Sequence, residues 1–167
     1  MKARSIFGIA GLIFLLGVGF LIARNGAGQT IASGGSEFAS IEKSIRDGIG
    51  WAKNKDLKLL YGVIANDADF LEVHPDGAVV KGFVDFKKAE TFWMSPDFKA
   101  IRYEIKDLKI KLSKSGEVAW FFCILDDINE YKGKPANWEN TRWTGVVEKR
   151  DSRWVIVLQH FSFAVKG

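Results

Sequence analysis

Histidine, cysteine and proline are scarce in this chain of 167 residues, which holds two, one and three of them. A single cysteine, Cys123, rules out an internal disulfide. Its setting, AWFFCIL, reads as a buried thiol rather than a nucleophile, because a reactive thiolate needs a partly open, electropositive site. His74 precedes Pro75 in a turn, where it should be exposed, and His160 stands far away in the last apolar run. With no cysteine cluster beside them, no metal-ligand spacing exists, and no metal or other cofactor is implied. Phosphate loop, nucleophile elbow and dinucleotide fingerprint are missing too. So is any strong excess of charge. Once Lys2, Arg4 and Arg24 are set aside with the first 24 residues, 21 Lys and Arg face 20 Asp and Glu. No basic stripe with interleaved aromatics remains, which excludes nucleic acid as a partner.

What the sequence does have begins with an uncharged stretch from Ile6 to Ala23, preceded by Lys2 and Arg4 and closed by Arg24. Its 18 residues exceed a cleavable signal core of roughly 7 to 15 apolar residues and reach the roughly 17 needed to span a bilayer. A cleaved signal and an uncleaved anchor both fit residues 1–24. The more basic amino flank predicts an exported chain, periplasmic or otherwise extracytoplasmic, whose membrane contact is confined to this segment. Residues 25–36, rich in Gly, Ala and Ser, read as a flexible linker, and residues 37–167 as one domain long enough to bury a core without staples.

Within the domain, Phe38, Ile41, Ile45, Ile49 and Ala52 recur at helical spacing, predicting a helix over 37–54. Asp56 is placed to cap a second helix carrying Leu57, Leu60, Tyr61 and Ile64 on one stripe. The turn Pro75-Asp76-Gly77 separates two short strands, and residues 83–94 return to helical spacing before Pro96. From Ile101 onward the pattern is all strand. Ile101, Tyr103 and Ile105 alternate on odd positions but Leu108, Ile110 and Leu112 on even ones, so a β-bulge near Lys106-Asp107 is expected, with a strongly bent sheet. Lys114-Ser115-Gly116 makes the next turn, before a run from Val118 to Leu125 that is apolar on both faces. The sum is an α+β domain with its helices gathered on one face of a curved antiparallel sheet.

The run from Thr141 to Phe163 reads as a hairpin about a two-residue loop, Asp151-Ser152. Such a loop pairs Arg150 with Arg153, Lys149 with Trp154 and Val147 with Ile156. Continued without interruption, it pairs Gly145 with Leu158, Trp143 with His160 and Thr141 with Ser162. Both faces are largely apolar, so each should be covered.

This element order, closing on Arg142-x-Thr144, Lys149-Arg150-Asp151, Trp154-x-Ile156 and His160-x-Ser162, resembles the SnoaL-like branch of the nuclear transport factor 2-like superfamily. The hairpin is also similar to the association domain of calcium/calmodulin-dependent protein kinase. The resemblance covers roughly residues 37–165. It implies a cone-shaped sheet with three helices from the N-terminal half packed on its concave face, a pocket between them, and a homodimer through the convex face. By the same resemblance Trp143, Gly145, Val147, Trp154, Ile156, Leu158, His160 and Ser162 should be concave, and Val146, Val155, Val157, Phe161 and Phe163 convex. Gly145 stands where the kinase domain has a pocket arginine, so anion capture by that route is not expected.

His160 is then the candidate acid–base residue, with Asp69, Glu72 and Asp126 as carboxylates that no spacing brings beside it. Trp143, Ser162, Tyr61, Trp93, Trp120 and Arg142 are candidate ligand contacts, although aromatics at such positions are mostly core filling. The expected function is binding of a small apolar or aromatic molecule, or service as a dimeric assembly module. An isomerase, dehydratase or cyclase using His160, and a structural module with a filled pocket, are the alternatives.

Overall fold

A computed structural model describes residues 29–164, with side chains from residue 35 onward; the expected leader and anchor lie outside the described residues. Helix α1, Gln29–Gly50, starts inside the stretch expected as linker, and a 3-10 turn, Trp51–Asn54, follows it. Its fully buried Ile41 and Ile45 face the sheet. Gly48 keeps this contact close, since a Cβ there would stand 2.9 Å from Ile156 Cδ1. The Ser44 hydroxyl donates to the Trp154 carbonyl at 2.8 Å, fixing helix to strand.

Asp56 caps α2, Leu57–Val63, by accepting from the Leu59 amide at 2.9 Å, as its position predicts. Strands β1, Leu71–Val73, and β2, Val79–Lys81, form the short hairpin about Gly77, whose φ of +90° suits glycine. The helix expected over 83–94 is broken into α3, Gly82–Phe86, a 3-10 turn and α4, Glu90–Trp93. Together these segments supply the third helical piece of the layer.

The long strands are β3, Phe98–Leu112; β4, Val118–Tyr131; β6, Trp138–Arg150; and β7, Arg153–Ser162; the two-residue β5, Lys134–Pro135, pairs with β4. The sheet runs β2-β1-β7-β6-β4-β3. Its long strands are antiparallel, while β1 joins β7 in parallel, so the sheet is mixed. The bulge expected near Lys106-Asp107 is present: the register shifts between Lys106 and Lys109, with Asp107 at a φ of +54°.

The hairpin register holds from Arg150↔Arg153 through Val147↔Ile156, with Asp151 and Ser152 both at positive φ as a type I′ turn requires. It then slips by one residue. Val146 pairs with Leu158, so Val157 is an extra residue on β7, and every later side chain on that strand changes face. The continuous pairing is thereby corrected: Trp143 meets Phe161, Thr144 meets His160 and Arg142 meets Ser162. Phe161 and Val155, expected on an exposed convex patch, are buried in the core.

Candidate functional site

On the concave side of the sheet, Glu72 of β1 meets His74, the residue just past the strand's end. Glu72 is buried and accepts hydrogen bonds from the His74 Nε2–H and the Gln159 amide. That bond holds the His74 pKa above its ordinary value, against the opposing effect of burial. The imidazole is half-buried, edge-on to Trp138 with ring centroids 5.6 Å apart and to Phe161 at 6.4 Å. His74 is therefore not the exposed turn residue expected.

Beyond His74 an aromatic floor continues across the strands. Phe161 lies 5.2 Å from Trp138 and stacks on Trp143 at 5.4 Å, and Trp143 meets Phe121 edge-on at 5.0 Å. A further bulge sets the end of this floor. Between Thr141 and Trp138 on β6 the register shifts, with Asn140 at a φ of +51° and its amide donating to Asp126 Oδ1 at 2.7 Å. Trp138 thus lands on the same face as Thr141 although three positions separate them, and it pairs with Asp127 of β4.

Asp127 is half-buried, and that burial raises its pKa, partly offset by the Asn129 side chain. Along the same concave strip, Asn129 Oδ1, Thr141 Oγ1, Trp143 Nε1 and Gln159 Oε1 have no protein partner, although their side chains are buried. Four buried polar atoms of this kind would each cost about 1–3 kcal/mol if left unsatisfied. All four lie on one face of the sheet. Two surface depressions, of about 540 Å³ between α1 and β3 and about 420 Å³ on the convex face, lie away from it. The first offers only one polar side chain, Glu42, which is already tied to Arg46. No group of side chains suited to holding a metal ion occurs among the described residues.

The residues named from the sequence divide between the two sides. Trp143 is on the concave face and fully buried. His160 and Ser162 point to the convex side, where His160 is exposed, because the extra Val157 inverts their parity. Arg142 is also convex and exposed, donating to the Phe163 carbonyl at 3.1 Å. Trp120, 51% exposed, lies on the convex face beside Phe122. Tyr61 and Trp93 belong to the helical layer. The Tyr61 hydroxyl donates to Glu90 at 2.8 Å, and burial with that bond pushes it up to about 12. Trp93 packs edge-on against Trp51 at 5.2 Å.

Of the carboxylates considered, Asp126 is held by Lys106 and the Asn140 amide, and only Glu72 joins the concave site. Cys123 is buried as expected, and desolvation pushes its thiol up to about 12. Sequence reasoning missed Gln159, Thr141, Asp127 and Asn129. The signal for the last two was available: Phe121, Cys123 and Leu125 alternate straight into Asp127 and Asn129.

A family model described as a SnoaL-like domain matches residues 41–166. No curated protein sequence matches this chain. Among solved structures, a candidate dehydratase of the NTF2-like family from Streptomyces avermitilis superposes with a TM-score of 0.66 at 15% identity, covering 80% of this chain and 99% of its own. An NTF2-like protein of unknown function from Prochlorococcus marinus gives 0.58 at 22% identity, covering 75% and 94%. A candidate calcium/calmodulin-dependent kinase II association domain from Exiguobacterium sibiricum gives 0.62 at 10% identity, covering 79% and 96%. At these identities the similarity establishes the fold.

Proposed function

The chain belongs to the SnoaL-like family, and from that premise we propose that it is an exported domain that binds a small, largely flat molecule on the concave strip between His74 and Asp127. The observation that carries this reading is the line of buried polar atoms without protein partners, at Gln159, Trp143, Thr141 and Asn129. They lie along an aromatic floor, and a few oriented polar groups among apolar walls are the usual composition of a ligand site. The family's frame serves binding in some members and catalysis in others, so the fold alone does not choose between them.

The test is native mass spectrometry of protein purified from its own host. A retained mass that is lost in Gln159→Leu and Thr141→Val supports the reading. A clean apo mass under gentle conditions, together with no melting shift across a broad metabolite screen, sinks it.

Two further readings each have an observation behind them. The His74–Glu72 hydrogen bond supplies an acid–base pair inside the site, so an isomerase or dehydratase activity would run through His74. The exposed Trp120 and Phe122, with Val146 and Leu158 around the convex depression, favour a homodimer through that face. Export and attachment rest on residues 6–23 of the sequence. Among the described residues no helix is long and apolar enough to cross a membrane.

A further inference from the structure

We propose that the Asp127 end of the concave strip receives the ammonium group of a small arylalkylamine. The proposal rests on the ligand-site reading above and narrows it to a chemical class. Asp127 pairs laterally with Trp138 on β6 and with Tyr103 on β3. Side chains on one face of neighbouring strands stand about 4.5–5.5 Å apart at Cβ, so the carboxylate has an indole on one side and a phenol on the other.

Among the described residues, no Lys, Arg or His forms an ion pair with Asp127. This sets it apart from Glu37, Asp67 and Asp126, each of which is matched by a Lys or Arg. A half-buried carboxylate without a counter-charge is costly for a fold to keep, and a cation arriving from outside removes that cost.

A second, independent observation lies two residues along the strand. Asn129 is 7% exposed and its Oδ1 has no partner, while its amide nitrogen lies 3.5 Å from the Asp127 backbone carbonyl and its side chain also favours the charged Asp127 carboxylate. The locality therefore offers a carboxylate and an amide oxygen as acceptors, with π faces beside them. An ammonium group matches all three, with three N–H donors and a charge that aromatic faces attract. Trp138 and Tyr103 are part-exposed while Phe161 and Trp143 beyond them are buried, so the body attached to the amine should be a single flat, apolar ring. Lys87 and Lys132, which lie over aromatic rings elsewhere, cover Tyr61, Phe83 and Tyr131 rather than Trp138.

Isothermal titration of the purified full-length protein with phenethylamine, and with 2-phenylethanol as its uncharged counterpart, tests the assignment. The amine should bind about tenfold or more tightly than the alcohol. In Asp127→Asn, with an unchanged near-ultraviolet circular dichroism spectrum, that preference should vanish while the alcohol's affinity stays the same. Equal affinities in the wild type, or a preference that survives Asp127→Asn, overturn the amine assignment but leave the ligand site standing. Failure of both probes to bind at millimolar concentration overturns the assignment as well, and the host-purified mass then decides the site itself. Asp69→Asn, whose carboxylate lies outside the strip, controls for a general loss of negative charge.

Discussion

Glu72 of β1 and His74 just past its end share a hydrogen bond, with Gln159 of β7 donating to the other oxygen of the same carboxylate. This arrangement makes the stability of the domain depend on pH. The folded-state pKa of His74 is raised, so the protonated form is favoured by folding. Its contribution is fully present below the ordinary histidine value of about 6.5 and is lost as pH rises through the higher folded value. Urea denaturation across this window should show stability falling with pH, and His74→Gln should flatten that slope.

Asp127 titrates with the same sign for a different reason. Burial raises its pKa, so the folded state holds a proton more tightly than the unfolded chain does, and stability falls as pH rises from about 4 through the folded value. Asp127→Asn should therefore be more stable than the wild type at neutral pH, and the difference should shrink in acid where both side chains are uncharged. A denaturation midpoint that drops at neutral pH would show that the carboxylate has a stabilising partner.

Thr141→Val replaces a fully buried hydroxyl that lacks a protein partner with a methyl group of similar shape. In the ligand-free protein the change should be neutral or stabilising by up to about 1 kcal/mol, because removing an unsatisfied buried group relieves its desolvation penalty. The same variant should lose the mass retained from the host. Opposite signs in stability and retention would separate a ligand contact from a packing residue.

Gly145 carries the close packing of the concave face. A Cβ there would stand 2.5 Å from Phe121 Cε1 and 2.7 Å from the Leu158 carbonyl oxygen, and the second contact is with backbone that has little room to yield. Gly145→Ala should cost about 1–3 kcal/mol, read from the denaturant midpoint at constant m-value.

On the convex face, Trp120→Glu places a charge amid Phe122, Val146 and Leu158 without touching the core. Light scattering at micromolar concentration should report a dimer for the wild type and a monomer for this variant. His160→Ala, on the same side of the sheet, should leave binding at the concave strip unchanged. A wild-type monomer would remove the dimer reading.

Much of the fold was legible because local rules governed it. The helical spacing of Ile41 and Ile45, the Asp56 cap, the Gly77 turn and the parity change near Asp107 each reflect physics within a few residues of the chain. The third helix was only partly readable. Phe83, Phe86 and Trp93 keep apolar spacing, but two α-helical pieces around a 3-10 turn dock them. Glu72 and His74 illustrate a different gap. The sequence offered Glu72 as a carboxylate and His74 as an exposed turn residue, and only the parallel docking of β1 beside β7 showed that the two meet, that Glu72 is buried and that Gln159 completes the pair.

The sequence by itself determined that helices cover one side of a bent sheet, that the last hairpin turns at Asp151-Ser152, and that both of its faces lean apolar. Tertiary structure alone decided which residues line the site. The run Val155-Ile156-Val157-Leu158 is apolar at every position, so sliding the pairing by one residue exchanges one aliphatic side chain for another and leaves no mark in the pattern. Only the packing of Phe161 onto Trp143 and Trp138 fixes Val157 as the extra residue. That one residue turns His160 outward and carries Gln159 in to meet Glu72.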